Sequence, residues 1–121
     1  MVTARYMVDD VTACVAFYRD GLGFTLKQQF GPAMAILEKD GLQLWLAGPQ
    51  SSAAKPMPDG AQPGPGGWNR FVLEVSDIAS LVAELRGKNV VFRNDLLDGP
   101  GGQQILCEDP AGNVIELFQP R

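Results

Sequence analysis

Val114, Glu116 and Phe118 alternate with Ile115 and Leu117 in a stretch that reads as a β-strand, so a carboxylate stands in the middle of an apolar run. Taking a carboxylate out of water is costly. Glu116 therefore calls for a metal ion, a basic partner, a hydrogen-bond network or an open cavity. An edge strand with Glu116 in water accounts for the pattern equally well. The composition narrows the chemistry further. The chain has no histidine, which removes imidazole as metal ligand, general base or nucleophile activator. Its two cysteines, Cys14 and Cys107, are too few for a tetrahedral zinc site or a disulfide framework, and a reduced, cytoplasmic protein is expected. Cys14 falls on a helical apolar stripe and reads as core.

Glu116 is positioned by a turn. Asp109 can bond forward to the backbone, Pro110 presets φ, and Gly112 tolerates a positive φ. The preceding chain contains the same kind of unit twice. Val2 to Val8 alternates as a strand, with Thr3, Arg5 and Met7 on one face. Asp10 fits a helix N-cap, and Val11, Cys14, Val15, Tyr18 and Leu22 follow at helical spacing before Gly21 and Gly23 end the helix. Strands are expected at Phe24 to Phe30, Ala33 to Leu37 and Leu42 to Leu46, with a tight turn at Lys39-Asp40-Gly41. Trp68 to Val75 begins the second copy, with Arg70, Val72 and Glu74 on one face. Asp77 caps a helix that ends at Arg86-Gly87-Lys88, with Gly87 read as the C′ glycine. Strands at Val90 to Arg93, Gln103 to Cys107 and Asn113 to Phe118, with a turn over Asp98 to Gly102, complete it.

The chain is thus read as one α+β domain of 121 residues built from two βαβββ modules, 1–48 and 68–121. The faces not covered by helices are expected to curve into a cup. Residues 49–67 hold five prolines and four glycines, with Ser51-Ser52. They read as a linker with neither ladder nor helix, a mobile tether rather than a lid. The net charge of −4 gives no basic face for nucleic acid. No apolar run approaches the roughly 20 residues of a membrane span, and no signal peptide is visible.

Four segments carry a family resemblance: Val8-Asp9-Asp10; Phe17-Tyr18-Arg19-Asp20-Gly21-Leu22-Gly23-Phe24; Val75-Ser76-Asp77; and Asp109-Pro110-Ala111-Gly112-Asn113-Val114-Ile115-Glu116-Leu117. In this order, on a duplicated pattern, they resemble the vicinal oxygen chelate superfamily of glyoxalase I, bleomycin-resistance proteins and extradiol dioxygenases. The resemblance implies paired βαβββ modules, a homodimer and a small-molecule cup. In the family's enzymes a divalent metal in that cup is held by first-strand residues, usually histidine, and last-strand residues, usually glutamate.

Carried over position by position, the first-strand ligands land on Thr3 and Arg70, equally far before the capping aspartates. The last-strand ligand of the second module lands on Glu116, which keeps the family residue. Its counterpart in the first module lies within Leu42-Gln43-Leu44-Trp45, where Gln43 is the one residue able to ligate. Hard cations usually take about six oxygens, which this set does not offer, and an arginine repels a cation. Arg70 is instead expected to pair with Glu116 and leave a metal-free polar floor. The expected ligand-binding residues are Thr3, Arg5, Trp45, Arg70, Glu116 and Phe118. Met7, Glu74 and Val114 are further cup candidates, and Trp68 and Arg93 are placed near the mouth.

Three readings follow. In the first, the protein is a metal-free module that holds an aromatic small molecule or antibiotic. The second is an enzyme of the same superfamily, a lyase, isomerase or dioxygenase using Glu116 with a divalent metal or as a general base. In the third, a dimeric scaffold fills its cup with its own side chains. The absence of histidine places the first ahead of the others.

Overall fold

The computed structural model describes all 121 residues. The chain forms two units, Met1–Gly66 and Gly67–Arg121, each with a four-stranded sheet.

In the first unit, β1 (Val2–Met7) leads into α1 (Val11–Ala16), and β2 (Thr25–Phe30), β3 (Met34–Lys39) and β4 (Leu42–Ala47) follow. The sheet order is β1-β4-β3-β2, with β1 parallel to β4 and the other pairs antiparallel. Asp10 caps α1, its carboxylate accepting from the Ala13 N–H at 3.0 Å. The expected single helix changes pitch at Phe17 and continues to Gly21 as a π-helical turn. The turn buries Tyr18 edge-on between Phe17 and Phe24, with ring centroids 5.0 and 5.4 Å away. The β3–β4 hairpin turns at Asp40 (φ 50°) and Gly41 (φ 84°), which sets Lys39 opposite Leu42. Leu44 and Leu46 of β4 and Ala35 and Leu37 of β3 bury with Val11, Cys14 and Val15 of α1. Thr3, Arg5, Gln43 and Trp45 therefore stand on the face away from the helix.

The segment after β4 contains local turns. Ser52–Ala54 is a 3₁₀ turn, and Met57 and Ala61 close a second turn through a 2.8 Å backbone bond. Gln62 to Pro65 line a groove of about 200 Å³ with Met7, Val8 and Gly48. The expectation of no regular structure here is corrected. Ser51 starts the 3₁₀ turn by bonding the Gly48 carbonyl with its hydroxyl at 2.7 Å.

The second unit repeats the order: β5 (Val72–Glu74), α2 (Ile78–Gly87), β6 (Leu97–Gly99), β7 (Gly102–Glu108) and β8 (Val114–Pro120), with sheet order β5-β8-β7-β6 and β5 parallel to β8. Asp77 caps α2 by accepting from the Ser80 N–H at 3.1 Å. Ile78, Val82 and Leu85 of α2 bury with Leu73, Ile105, Cys107, Ile115 and Leu117. The turn before β8 is held by Asp109. Its Oδ1 accepts the N–H groups of Ala111 and Asn113, both at 2.9 Å, and its Oδ2 accepts the Asn113 amide at 3.1 Å. No helix is long and apolar enough to cross a membrane.

Four sequence expectations are corrected in this unit. The strand expected over Trp68 to Val75 is ladder only at Val72–Glu74. Val90 to Arg93 contributes only an isolated bridge, Phe92 to Cys107. There the Asn94 side chain takes the Leu106 N–H at 2.9 Å, which ends backbone pairing. The strand between α2 and β7 is Leu97–Gly99, which overlaps the stretch Asp98 to Gly102 read as a turn. It pairs with β7 around a tighter corner at Pro100-Gly101, where Gly102 (φ 146°) lies so close to β8 that a Cβ would collide with the Gln119 carbonyl oxygen. Finally, Gly87 is helical, and Asn89 (φ 62°) supplies the left-handed residue that ends α2.

Candidate functional site

On β8, Glu116 faces away from α2, opposite Val72 of β5 and Leu106 of β7. Its side chain is 13% exposed and that of Arg70 is 30% exposed. The guanidinium Nη2 and Nε donate to the same carboxylate oxygen, Oε1, at 2.9 and 3.1 Å. Nη1 makes a longer contact of 3.4 Å to the Trp68 carbonyl. Arg70 and Glu116 therefore share a sheet face and form a charge-assisted pair, with two donors on one oxygen rather than one on each. Phe118 follows on the same face, opposite Glu74 and Gln104. Val114 precedes Glu116 on this face and is fully buried.

A second arginine fixes the approach to β5. The Arg93 guanidinium donates to Glu108 at 2.8 Å, to the Gly67 carbonyl at 2.7 Å and to the Gly112 carbonyl at 3.1 Å. It lies 4.5 Å from the Trp68 ring centroid. Arg93 is thus committed to holding the chain at 67–68 against the β7–β8 turn.

In the first unit, Thr3 pairs with Gln43 and Arg5 with Trp45 across β1 and β4. Gln43 Oε1 accepts from the Trp45 indole N–H at 2.8 Å and from the Thr3 hydroxyl at 3.4 Å, and its Nε2 donates to Glu38 at 3.3 Å. Lys27 reaches Glu38 at 3.7 Å. The Arg5 guanidinium lies 5.0 Å from the Trp45 ring centroid. The roles of Glu38 and of Glu108 were missed in the sequence. The first was readable, because a two-residue turn at Asp40-Gly41 puts Glu38 opposite Gln43.

The registers also settle which residue corresponds to Glu116. Val8 and Val75, equally far before their caps, donate to the Ala47 and Phe118 carbonyls. Arg5 and Val72, likewise equivalent, stand opposite Trp45 and Glu116. The counterpart of Glu116 is therefore Trp45, the last residue of the expected stretch Leu42 to Trp45, and Gln43, the residue there able to ligate, stands two residues earlier on the same face.

A divalent ion does not fit these donors. Glu116 has a guanidinium at 2.9 Å, its counterpart is an indole, and the Gln43 amide is already bonded on both atoms. No group of three or more Asp, Glu or Cys side chains is placed to ligate a cation. Burial, reinforced by Asp109, pushes the Cys107 thiol up to about 12, so it is neither a thiolate ligand nor a nucleophile near neutral pH.

Two helix-backed βαβββ units, each with a four-stranded mixed sheet, define the class of α+β fold. The sequence matches the Glyoxalase/Bleomycin resistance protein/Dioxygenase superfamily over residues 1–117, and the chain belongs to that family. Among solved structures, TnmS3, an antibiotic binding protein from Streptomyces sp. CB03234, is 26% identical with a TM-score of 0.75, over 100% of this chain and 96% of that one. A superfamily member from Sphaerobacter thermophilus DSM 20745 is 26% identical with a TM-score of 0.77, over 98% and 95%. Lactoylglutathione lyase from Agrobacterium tumefaciens shares the fold at 22% identity and a TM-score of 0.76, over 98% and 92%. No curated protein matches the sequence.

Proposed function

We propose that this protein binds a small molecule, an antibiotic or another aromatic compound, without a metal ion. One observation carries the reading: the glutamate at the family's last-strand ligand position is paired with Arg70 at 2.9 Å. The cation that neutralises Glu116 is a side chain, so the site keeps its polarity and loses its Lewis acid. The antibiotic-binding relative supports binding as the activity. Arg70, Glu116 and Phe118 contact ligand on the second unit, and Thr3, Arg5 and Trp45 on the first. In this reading the protein works as a cytoplasmic homodimer.

Thermal unfolding with added Mn²⁺, Ni²⁺, Zn²⁺ or Fe²⁺, together with metal analysis of the purified protein, tests the reading. A ligand at a hundred times its Kd stabilises by about 2.7 kcal/mol. The expected result is no co-purified ion and no shift with any metal, but a shift with members of an aromatic natural-product panel. An ion that raises the midpoint in the wild type and not in Glu116→Ala overturns it.

A further inference from the structure

The Arg70–Glu116 pair is not saturated. Both close guanidinium bonds go to Oε1, so Oε2 lies outside the pair. No fully buried side-chain oxygen or nitrogen lacks a partner; Oε2, with none, therefore keeps some exposure on a side chain that is 13% exposed. A guanidinium carries five N–H donors. Arg70 spends two on Oε1 and a third on the 3.4 Å contact to Trp68, which leaves one N–H on each of Nη1 and Nη2, at the outer edge of the guanidinium. The pair thus keeps both an acceptor oxygen and N–H donors, with no net charge.

We infer that this edge recognises a neutral ligand group carrying an adjacent hydrogen-bond donor and acceptor, the chemistry of a primary carboxamide or a lactam. The inference rests on the binding reading above and assigns its ligand class. An anionic ligand would gain Arg70 but meet Oε2. A cation would gain Oε2 but meet Arg70. Either leaves one charge uncompensated in a half-buried place. A neutral donor–acceptor group satisfies both residues and disturbs neither. The flanks are apolar: Val72, directly opposite Glu116, is 51% exposed, and Phe118 lies two residues along the same face. They suit a flat ring attached to the carboxamide.

Three probes sharing one ring system test this on the intact protein: 2-naphthamide, methyl 2-naphthoate and 2-naphthoate, titrated by ¹H–¹⁵N NMR. Signals to follow are the Arg70 Nε–H and the Val72 and Phe118 amides. The amide is expected to bind about tenfold more tightly than the ester or the acid, the margin of one or two hydrogen bonds. The preference should vanish in Arg70→Met/Glu116→Leu, which removes the pair as a unit. Glu116→Gln, which keeps the side-chain size, should lower amide affinity and raise that of the acid. Equal affinities in the wild type, or tightest binding of the acid, overturn the inference. If no probe moves these signals but the natural-product panel still stabilises the protein, the ligand class is wrong and the binding reading stands. If the panel is silent as well, both fall.

Discussion

Glu116 was legible as a residue needing a partner because strand alternation placed its carboxylate among Val114, Ile115 and Leu117, three residues the structure buries fully. Its partner was not legible locally. Arg70 lies 46 residues away in sequence, and only the repeat, counted back from the two capping aspartates, brought the two together. The energetics of the pair should be asymmetric. Arg70→Met strands the more buried partner, Glu116 at 13% exposure, whereas Glu116→Leu strands Arg70 at 30%, whose long stem can turn its charge to water. Urea unfolding should give a loss of about 2 kcal/mol for Arg70→Met and about 1 kcal/mol or less for Glu116→Leu. The double variant should lie within about 1 kcal/mol of wild type, because neither charge is left alone. Simple additivity of the two losses would show that the pair is not energetically coupled.

At the scale of elements, helix starts were read correctly from Asp10 and Asp77, because a cap is decided by one side chain and the turn it closes. Strand ends were read less well, because side chains compete for the backbone there. Asn94 ends pairing at 90–93, and Arg93 gathers three acceptors from Gly67, Glu108 and Gly112. No periodicity in the sequence announces that competition. Arg93 looked like a residue of the site's mouth, but its contacts make it a clasp on the chain entering β5. Its fork-shaped donor set suits this role and an ammonium does not. Arg93→Lys should therefore cost about 2 kcal/mol. In a Trp45→Phe background it should also make Trp68 fluorescence more readily quenched by acrylamide, since the ring loses its stacked guanidinium. A variant with unchanged stability and quenching would show that the clasp contributes little.

For the molecule as a whole, the duplicated βαβββ order was readable because both halves repeat a cap, a helical stripe and a hairpin. The divergence of their chemistry was not. The same scaffold positions carry Thr3 and Arg70, Arg5 and Val72, Trp45 and Glu116; the first two matches follow from counting back from the caps, and the third needs the paired registers. Each unit keeps an apolar layer between helix and sheet, and in the second that layer contains Cys107, which has no exposure. Burial is the main cause of its raised pKa, from the ordinary 9.0 to about 12, with Asp109 adding to it. The sign follows from linkage. The folded state binds the thiol proton more tightly than the unfolded state, so this contribution is fully present below pH 9 and is lost as pH rises towards 12. The loss amounts to about 1.4 kcal/mol per pH unit above 9. Other groups also titrate in alkali, so the comparison must isolate the thiol. Cys107→Ala should be less stable than wild type near pH 7, where it only leaves a cavity. Its disadvantage should then shrink by about 2 kcal/mol between about pH 7 and 10.5, because it has no proton to lose. Urea midpoints measured across that range for both proteins decide the point. Parallel curves would mean that the thiol titrates alike in both states, because the layer around it opens to water before it titrates.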